Sequence, residues 1–306
     1  MTAAAVVGRF APSPTGPLHF GSLIAAVGSY CLARRAQGRW LLRMDDLDAP
    51  RVVPGAADDI LRTLEALGFA WDGEVVWQSR RQAAYRAALD RLCGEGLVYP
   101  CACSRREILA SAPHPGEEGP VYPGTCRSGL PAGRAPRALR LRVPERTVAF
   151  VDGVFGRQEQ DLAGEVGDFV LRRADGLYAY QLATVVDDAA SGVNQVVRGA
   201  DLLGSTPRQI LLLEHLDLPL PAYLHLPLAV AADGSKISKR QGRHDDPLAD
   251  GSAMLERALR WLGQPLPAVL RGAPPAELLA WGCSAFDSTM VPSRQEIAVD
   301  STGKSR

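Results

Sequence analysis

The chain has 306 residues, of which 46% are hydrophobic and 22% charged, as is ordinary for a globular protein with a buried core. Its 34 basic and 34 acidic residues balance, which excludes a uniformly basic nucleic-acid coat protein but not a local basic face. No apolar run approaches the roughly 20 residues that span a bilayer, and the N-terminus lacks the pattern of a signal peptide. We therefore expect a cytoplasmic protein without a membrane partner, and we expect a monomer because no exposed apolar repeat is evident.

The first 99 residues alternate between strand-like and helix-like patterns. In chain order the predicted elements are a strand at 6–10, a Pro- and Gly-rich loop at 11–17, a helix at 18–37, a strand at 40–44 and helices at 56–67 and 80–94. This order is typical of a βαβ unit, whose strands are parallel. Residues 1–99 are therefore assigned to the first half of an α/β domain with a parallel sheet.

The remaining chain divides into four parts. Residues 100–135 contain three cysteines with several Pro and Gly, and they predict an inserted subdomain with irregular backbone. Residues 136–245 predict the second half of the α/β domain, with short strands, two helices and a strand that leads into a Gly/Ser/Lys loop. Residues 246–283 predict a short helical region. From Ser284 to the end the chain is polar and poorly patterned, which predicts a loose tail.

A phosphate-binding loop is predicted where the first strand meets the first helix. Residues 12–22 read Pro-Ser-Pro-Thr-Gly-Pro-Leu-His-Phe-Gly-Ser. The N–H groups at the start of a helix attract phosphate. Gly21 would allow close approach of a purine or phosphate, and His19 can donate a hydrogen bond to a phosphate oxygen. Alone, the segment is equally compatible with a plain turn in which His19 caps the helix.

A second candidate for phosphate chemistry is the basic segment Lys236-Ile237-Ser238-Lys239-Arg240. Cations on a flexible loop can close over a polyphosphate and neutralise the charge of its transition state. A solvated basic loop without such a role is the alternative, because short basic runs are common.

Together, the two segments resemble the HIGH and KMSKS motifs of class I aminoacyl-tRNA synthetases. Three further segments are similar to the glutamyl branch of that class, and they are residues 9–16, 43–48 and 197–202. The resemblance covers residues 6–245 and implies a Rossmann-type class I synthetase catalytic domain. It assigns catalysis to His19, Gly21, Lys236 and Lys239. It also implies ATP bound with Mg²⁺ at His19, Gly21 and Lys239.

The same resemblance implies a glutamate site formed by Arg9, Ala11, Ser13, Asp45, Tyr180 and Arg198. The residue types agree with this substrate. Arg9 and Arg198 can each hold a carboxylate through a planar guanidinium, and Asp45 can pair with the α-ammonium group. The family usually has Glu in place of Asp45, so the shorter side chain implies a water-mediated contact or a tighter pocket. Taken singly, each residue could belong to a structural salt bridge.

The cysteines of the insert indicate a zinc site. Structural zinc takes four ligands in a tetrahedron and favours thiolates, and Cys101, Cys103 and Cys126 supply three. His114 suits the fourth position by residue type. The spacing of Tyr122 resembles a variant of the family in which tyrosine takes that position, so Tyr122 is predicted ahead of His114. Three reduced cysteines without a metal are the alternative.

The number of residues that follow the basic segment indicates which family within this class the chain resembles. Only 66 residues follow Arg240, too few for the usual anticodon-binding half. With residues 20–26, 185–188 and the cysteines, this resembles a truncated family, the glutamyl-queuosine tRNA(Asp) synthetases. That family implies tRNA-independent activation of glutamate by ATP and transfer to the queuosine base in the anticodon of tRNA(Asp). The alternatives are a truncated glutamyl-tRNA synthetase acting on a tRNA 3′ end, a non-catalytic tRNA- or protein-binding paralogue, and a generic nucleotidyltransferase.

Overall fold

The structure is a computed structural model that describes residues 4–111, 115–116, 119–230 and 250–298. Its helices are α1 (Phe20–Arg35), α2 (Ala56–Ala66), α3 (Gln82–Gly94), α4 (Arg105–Ser111), α5 (Leu162–Glu165), α6 (Tyr180–Ala190), α7 (Thr206–His215), α8 (Gly251–Trp261) and α9 (Pro275–Ala285). Its strands are β1 (Val7–Phe10), β2 (Arg39–Met44), β3 (Val76–Trp77), β4 (Val98–Cys101), β5 (Pro115–Gly116), β6 (Gly119–Pro120), β7 (Ala138–Leu141), β8 (Thr147–Asp152), β9 (Gly156–Asp161), β10 (Val170–Arg172), β11 (Gln195–Gly199), β12 (Ala222–Leu226), β13 (Leu228–Val230) and β14 (Glu296–Ala298). Within those ranges, no helix has both the length and the apolar character needed to cross a membrane.

Parallel strands form the centre of the α/β fold. In one group β1 pairs with β2 and β2 with β3. In the other, β11 pairs with β12 and β12 with β8, while β9 runs antiparallel to β8. Asn194 joins the groups, because its N–H donates to the Val7 carbonyl at 3.1 Å and its Oδ1 accepts from the Val7 N–H at 2.8 Å. The predicted α/β fold with parallel strands is confirmed.

Helix α1 lies in the middle of the larger hydrophobic core. His19 caps its N-terminus by accepting a hydrogen bond from the Ser22 N–H at 3.3 Å. The helix is apolar around most of its circumference because it packs between the β1–β2 layer and helices α8 and α9. Phe20 and Leu23 are fully buried, and each contributes about 1.5–3 kcal/mol through burial. This packing fixes the position of the N-terminus of α1 at the carboxyl ends of β1 and β11.

The cysteine-containing insert has more regular structure than predicted. Strand β4 enters it and pairs with β7 in the antiparallel sheet β10–β7–β4. Helix α4 and the short hairpin β5–β6 follow. Helix α4 has no buried residue, so it leaves no apolar periodicity in the sequence from which it could be predicted.

The region after residue 250 closes the larger core, and it corrects the prediction of a loose tail from Ser284. Helix α9 continues to Ala285, Phe286 and Ile297 are buried, and β14 pairs in parallel with β13. These buried side chains are separated by irregular backbone, so their spacing follows neither the helical nor the strand period. Residues 299–306 lie outside the described residues.

Candidate active site

A cavity of about 700 Å³ opens where β1 and β11 end and α1 begins. Ligands of open α/β sheets bind at the carboxyl ends of parallel strands, and this volume suits a small-molecule site. The structure brings together seven of the predicted residues in its lining, namely Arg9, Ala11, Ser13, His19, Gly21, Tyr180 and Arg198. Thr15, Ser22 and Asp201 also line it. These three lie in or beside the recognised segments, but their types alone gave no reason to assign them a role.

Three predicted residues are not found in this lining. Lys236 and Lys239 lie outside the described residues, although β13, which precedes them, contributes Leu228 to the cavity wall. Asp45 is mostly buried and is paired with Arg43, whose Nε donates to Asp45 Oδ1 at 2.6 Å and whose Nη2 donates to Oδ2 at 3.3 Å. An α-ammonium group would therefore have to compete with Arg43 for the Asp45 carboxylate.

Arg9 is held in the cavity wall by a buried carboxylate. Asp188 accepts from Arg9 Nε at 3.2 Å and from Arg43 Nη1 at 2.5 Å, while Arg9 Nη1 donates to the Val197 carbonyl at 3.3 Å. Burial alone would raise the pKa of Asp188, but the two arginines outweigh burial and lower it, so the carboxylate is ionised. Arg9 Nη2 has no hydrogen-bond partner within the described part of the chain, which leaves it available to a ligand.

Arg198 reaches the cavity from β11, whereas Arg9 reaches it from β1. Its Nη1 donates to the Tyr180 hydroxyl at 3.3 Å, and its Nη2 donates to Thr206 Oγ1 at 2.8 Å. Its Nε donates to His225 Nε2 at 3.0 Å. Because Arg9 and Arg198 line one cavity as two separate cations, the site can receive two carboxylates or a carboxylate and a phosphate.

The N-terminus of α1 lines the cavity, and the positive end of a helix dipole attracts anions such as phosphate. His19 both caps this helix and lines the cavity, so the capping interpretation and the ligand-binding interpretation are compatible. The first turn of α1 contains no acidic residue, so its positive dipole end is not neutralised from within the turn. A Cβ on Gly21 would lie 3.2 Å from the His19 ring, so glycine preserves the position of the histidine.

A second cavity of about 1150 Å³ lies beside the first, between α6 and the cysteine-containing insert. Tyr180 lines both cavities. The charged residues of the second lining are Asp48, Arg51, Arg105, Arg137, Arg140, Glu165, Asp168, Arg173, Asp175 and Arg208. Among the described residues of this lining, six arginines against four carboxylates give a net positive charge. It was not predicted because its residues come from distant segments without a shared motif.

The three cysteines of the insert converge with Tyr122. The Tyr122 Oη lies 3.4 Å from Cys101 Sγ and 3.6 Å from Cys103 Sγ. Cys103 Sγ lies 3.6 Å from Cys126 Sγ, and all three sulfur atoms are within 4.8 Å of one another. Tetrahedral zinc with Zn–S bonds of about 2.3 Å separates its sulfur ligands by about 3.8 Å, so this donor set fits zinc.

The surroundings of the cluster favour a thiolate at Cys101. Burial raises the pKa of Cys101, but hydrogen bonding with Tyr122 and Arg140 outweighs burial and lowers it. Burial and the two neighbouring cysteines raise the pKa of Cys103. The Arg140 guanidinium also stacks over the Tyr122 ring at 3.8 Å. His114, the alternative fourth ligand, lies outside the described residues.

The family comparison agrees with the fold and with the cavity. Residues 5–246 match the family model described as the catalytic domain of class I tRNA synthetases for E and Q. The parallel strands, the cavity at their carboxyl ends and this match define a class I tRNA synthetase catalytic domain.

Comparison with curated relatives identifies the family within this class. The chain is 57% identical over 297 residues to the glutamyl-Q tRNA(Asp) synthetase of Geobacter sulfurreducens, with 94% of each chain covered. It is also 57% identical over 291 residues to the same enzyme of Dechloromonas aromatica, covering 95% of this chain and 97% of the relative. The chain therefore belongs to the glutamyl-Q tRNA(Asp) synthetase family.

A solved structure shares the fold. The glutamate tRNA ligase of Elizabethkingia meningosepticum, determined in complex with its amino acid, superposes with a TM-score of 0.78 at 23% identity. The match covers 95% of this chain but only 66% of that ligase. The likeness at this identity concerns the fold alone.

Proposed function

We propose that this chain activates glutamate with ATP in the absence of tRNA and then transfers the glutamyl group to the queuosine base of tRNA(Asp). The observation that carries the proposal is the pair Arg9 and Arg198, which line one cavity beside the N-terminus of α1. Two carboxylates and a polyphosphate are the groups that this arrangement recognises. The name shared by the curated relatives supports glutamate as the amino acid and tRNA(Asp) as the acceptor.

In the first step, the α-carboxylate of glutamate attacks the α-phosphorus of ATP in line, and pyrophosphate leaves. The protein contributes mainly position and charge to such a reaction. Arg9 and Arg198 hold the two carboxylates of glutamate, while His19 and the helix start at Gly21 hold the phosphates. Mg²⁺ bound to ATP would offset part of the phosphate charge. Lys236 and Lys239 are proposed, from sequence, to stabilise the departing pyrophosphate.

In the second step, a hydroxyl of the queuosine cyclopentene ring attacks the adenylate carbonyl, and AMP leaves. The larger cavity is the proposed place of the acceptor, because Tyr180 borders both cavities. Its net positive lining suits a ribose-phosphate backbone. No nucleophile of the protein is required in either step.

Mapping the position of labelled glutamate on tRNA tests the acceptor. The protein is incubated with labelled glutamate, ATP and queuosine-containing tRNA(Asp), and the tRNA is then cleaved into fragments. Label is expected on the anticodon-stem fragment, and none is expected on matched tRNA(Asp) that lacks queuosine. Label on the 3′-terminal adenosine would instead identify a truncated glutamyl-tRNA synthetase. A non-catalytic paralogue would give neither labelled tRNA nor glutamate-dependent ATP–pyrophosphate exchange.

We also propose that Cys101, Cys103, Tyr122 and Cys126 hold one structural zinc ion. About one zinc per chain is expected by elemental analysis. Cys126→Ser is expected to lower both the zinc content and the melting temperature, because it removes a thiolate ligand. Cys93→Ser is the control, since Cys93 is exposed and lies outside the cluster. A zinc content near zero in the unaltered protein would refute the site.

A further inference from the structure

Two buried polar residues lie behind the candidate active site without lining either cavity. His225 is fully buried on β12, and Asp152 is 2% exposed at the end of β8. His225 Nδ1 lies 2.6 Å from Asp152 Oδ2, and on its other side His225 Nε2 accepts from Arg198 Nε. Arg198 and His225 are register partners on the parallel strands β11 and β12, so their side chains share one face of the sheet.

The hydrogen bonds determine which nitrogen of His225 carries the proton. An arginine Nε can only donate, so His225 Nε2 must be unprotonated and the proton must lie on Nδ1, facing Asp152. Burial and the charge of Arg198 lower the pKa of His225, with Asp152 opposing them and Arg9 adding a smaller lowering effect. The imidazole is therefore neutral at pH 7, as acceptance from Arg198 requires.

Asp152 is fixed by the backbone around it. Its Oδ1 accepts from the N–H groups of Val154 and Phe155, both at 3.0 Å, and its Oδ2 accepts from the His225 N–H at 3.1 Å. Burial raises the pKa of Asp152, but the hydrogen bonds from His225 and from these N–H groups outweigh burial and lower it. An ionised carboxylate in a rigid turn thus holds one tautomer and one orientation of the imidazole.

We propose that Asp152 and His225 are positioning residues that orient Arg198 for the binding of glutamate, an inference that rests on the proposed function. His225 holds Nε, and Thr206 holds Nη2. Because Nε and Nη2 are both held from behind the cavity, the guanidinium can rotate little, and Nη1 is kept beside the Tyr180 hydroxyl in the cavity lining. Preorganisation of this kind strengthens binding because less conformational freedom is lost when the ligand arrives.

Two substitutions of similar size separate positioning from simple space filling. The amide of His225→Asn reaches only the place of Nδ1, so it can bond Asp152 but cannot accept from Arg198. The amide oxygen of His225→Gln reaches the place of Nε2 and can still accept from Arg198. In ATP–pyrophosphate exchange without tRNA, His225→Asn is expected to raise the KM for glutamate by about 10- to 100-fold, the effect of one hydrogen bond to a charged group. His225→Gln is expected to stay within about threefold of the unaltered protein.

Asp152→Asn supplies an independent test. An amide NH₂ facing His225 Nδ1 would move the imidazole proton to Nε2, where it opposes the Arg198 N–H. The KM for glutamate is therefore expected to rise as in His225→Asn, while the KM for ATP stays unchanged. His215→Asn is the matched control, since His215 ends α7 and lines neither cavity.

Three results would overturn the inference. They are an unchanged KM for glutamate in His225→Asn, an equal rise in His225→Gln, and a parallel rise in the KM for ATP. Thermal unfolding identifies variants that fail to fold. If His225→Asn does not fold, the KM values for glutamate of His225→Gln and Asp152→Asn test the inference instead. Absence of exchange in the unaltered protein would refute the proposed function itself, and the inference with it. If exchange occurs but His225→Asn and His225→Gln have the same KM for glutamate, only the inference is refuted.

Discussion

Arg198→Ala is expected to lower kcat/KM for glutamate in ATP–pyrophosphate exchange by about 10²- to 10³-fold. Arg198 lines the cavity and offers Nη1 beside the Tyr180 hydroxyl. Removing one member of a desolvated, hydrogen-bonded charge pair costs about 2–5 kcal/mol, because the other charge is left without a partner. The same substitution also removes the Arg198 donor from His225 Nε2, which keeps Thr206 Oγ1 at 3.2 Å as a partner. The KM for ATP is expected to change little, since the proposed phosphate contacts come from His19 and the start of α1.

Two further variants make this result interpretable. Arg198→Lys keeps the charge but loses the planar guanidinium, so it is expected to recover only part of the activity. Arg172→Ala removes an exposed arginine that lines neither cavity, and it is expected to behave like the unaltered protein. If Arg172→Ala and Arg198→Ala lost activity equally, Arg198 would have no special role in binding glutamate.

Asp188→Asn is expected to lower the free energy of unfolding by about 3–5 kcal/mol. The Asp188 carboxylate is shared by Arg9 and Arg43, all three side chains being nearly inaccessible to solvent. A neutral amide would leave two buried cations close together without this anion, although Arg43 keeps its pairing with Asp45. Urea unfolding monitored by circular dichroism measures the effect. Asp59→Asn is the control, since Asp59 pairs with Arg62 on the surface, where an ion pair contributes about 0–1 kcal/mol.

The stabilisation by Asp188 should also depend on pH. Because its pKa is lowered in the folded protein, its contribution is fully present above the unfolded pKa of about 3.9 and is lost as the pH falls through the folded pKa. The difference in unfolding free energy between the unaltered protein and Asp188→Asn is therefore expected to shrink with acidification. A difference that is equal at pH 7 and at pH 3 would contradict an ionised Asp188.

The sequence predicts the fold best where one period dominates a long segment. Helix α1 and strand β2 were both anticipated to within about two residues, the usual precision for element boundaries. Helix α4 was missed because it buries nothing. The buried residues from Phe286 to Ile297 were missed because tertiary packing, and not local periodicity, places them in the core.

The candidate site could be predicted only where a recognisable segment carries it. Arg9, His19 and Arg198 all belong to such segments, and all three line the cavity. The residues that hold them in place gave no comparable signal. Asp152 and His225 stand in ordinary strand sequences, and their roles depend on β8, β11 and β12 lying side by side. A pairing between residues 73 positions apart, such as theirs, is a property of the topology.

The pairing of β14 with β13 determines where this chain can be shortened. Leu228 and Ala229 of β13 form part of the cavity wall, and Glu296 and Ile297 are their register partners. A chain cut before Glu296 would expose the backbone donors and acceptors of β13, and an uncovered strand edge invites association with other molecules. Such a cut would therefore affect solubility and the shape of the cavity together. A residue far from every recognisable segment can thus decide whether the site forms.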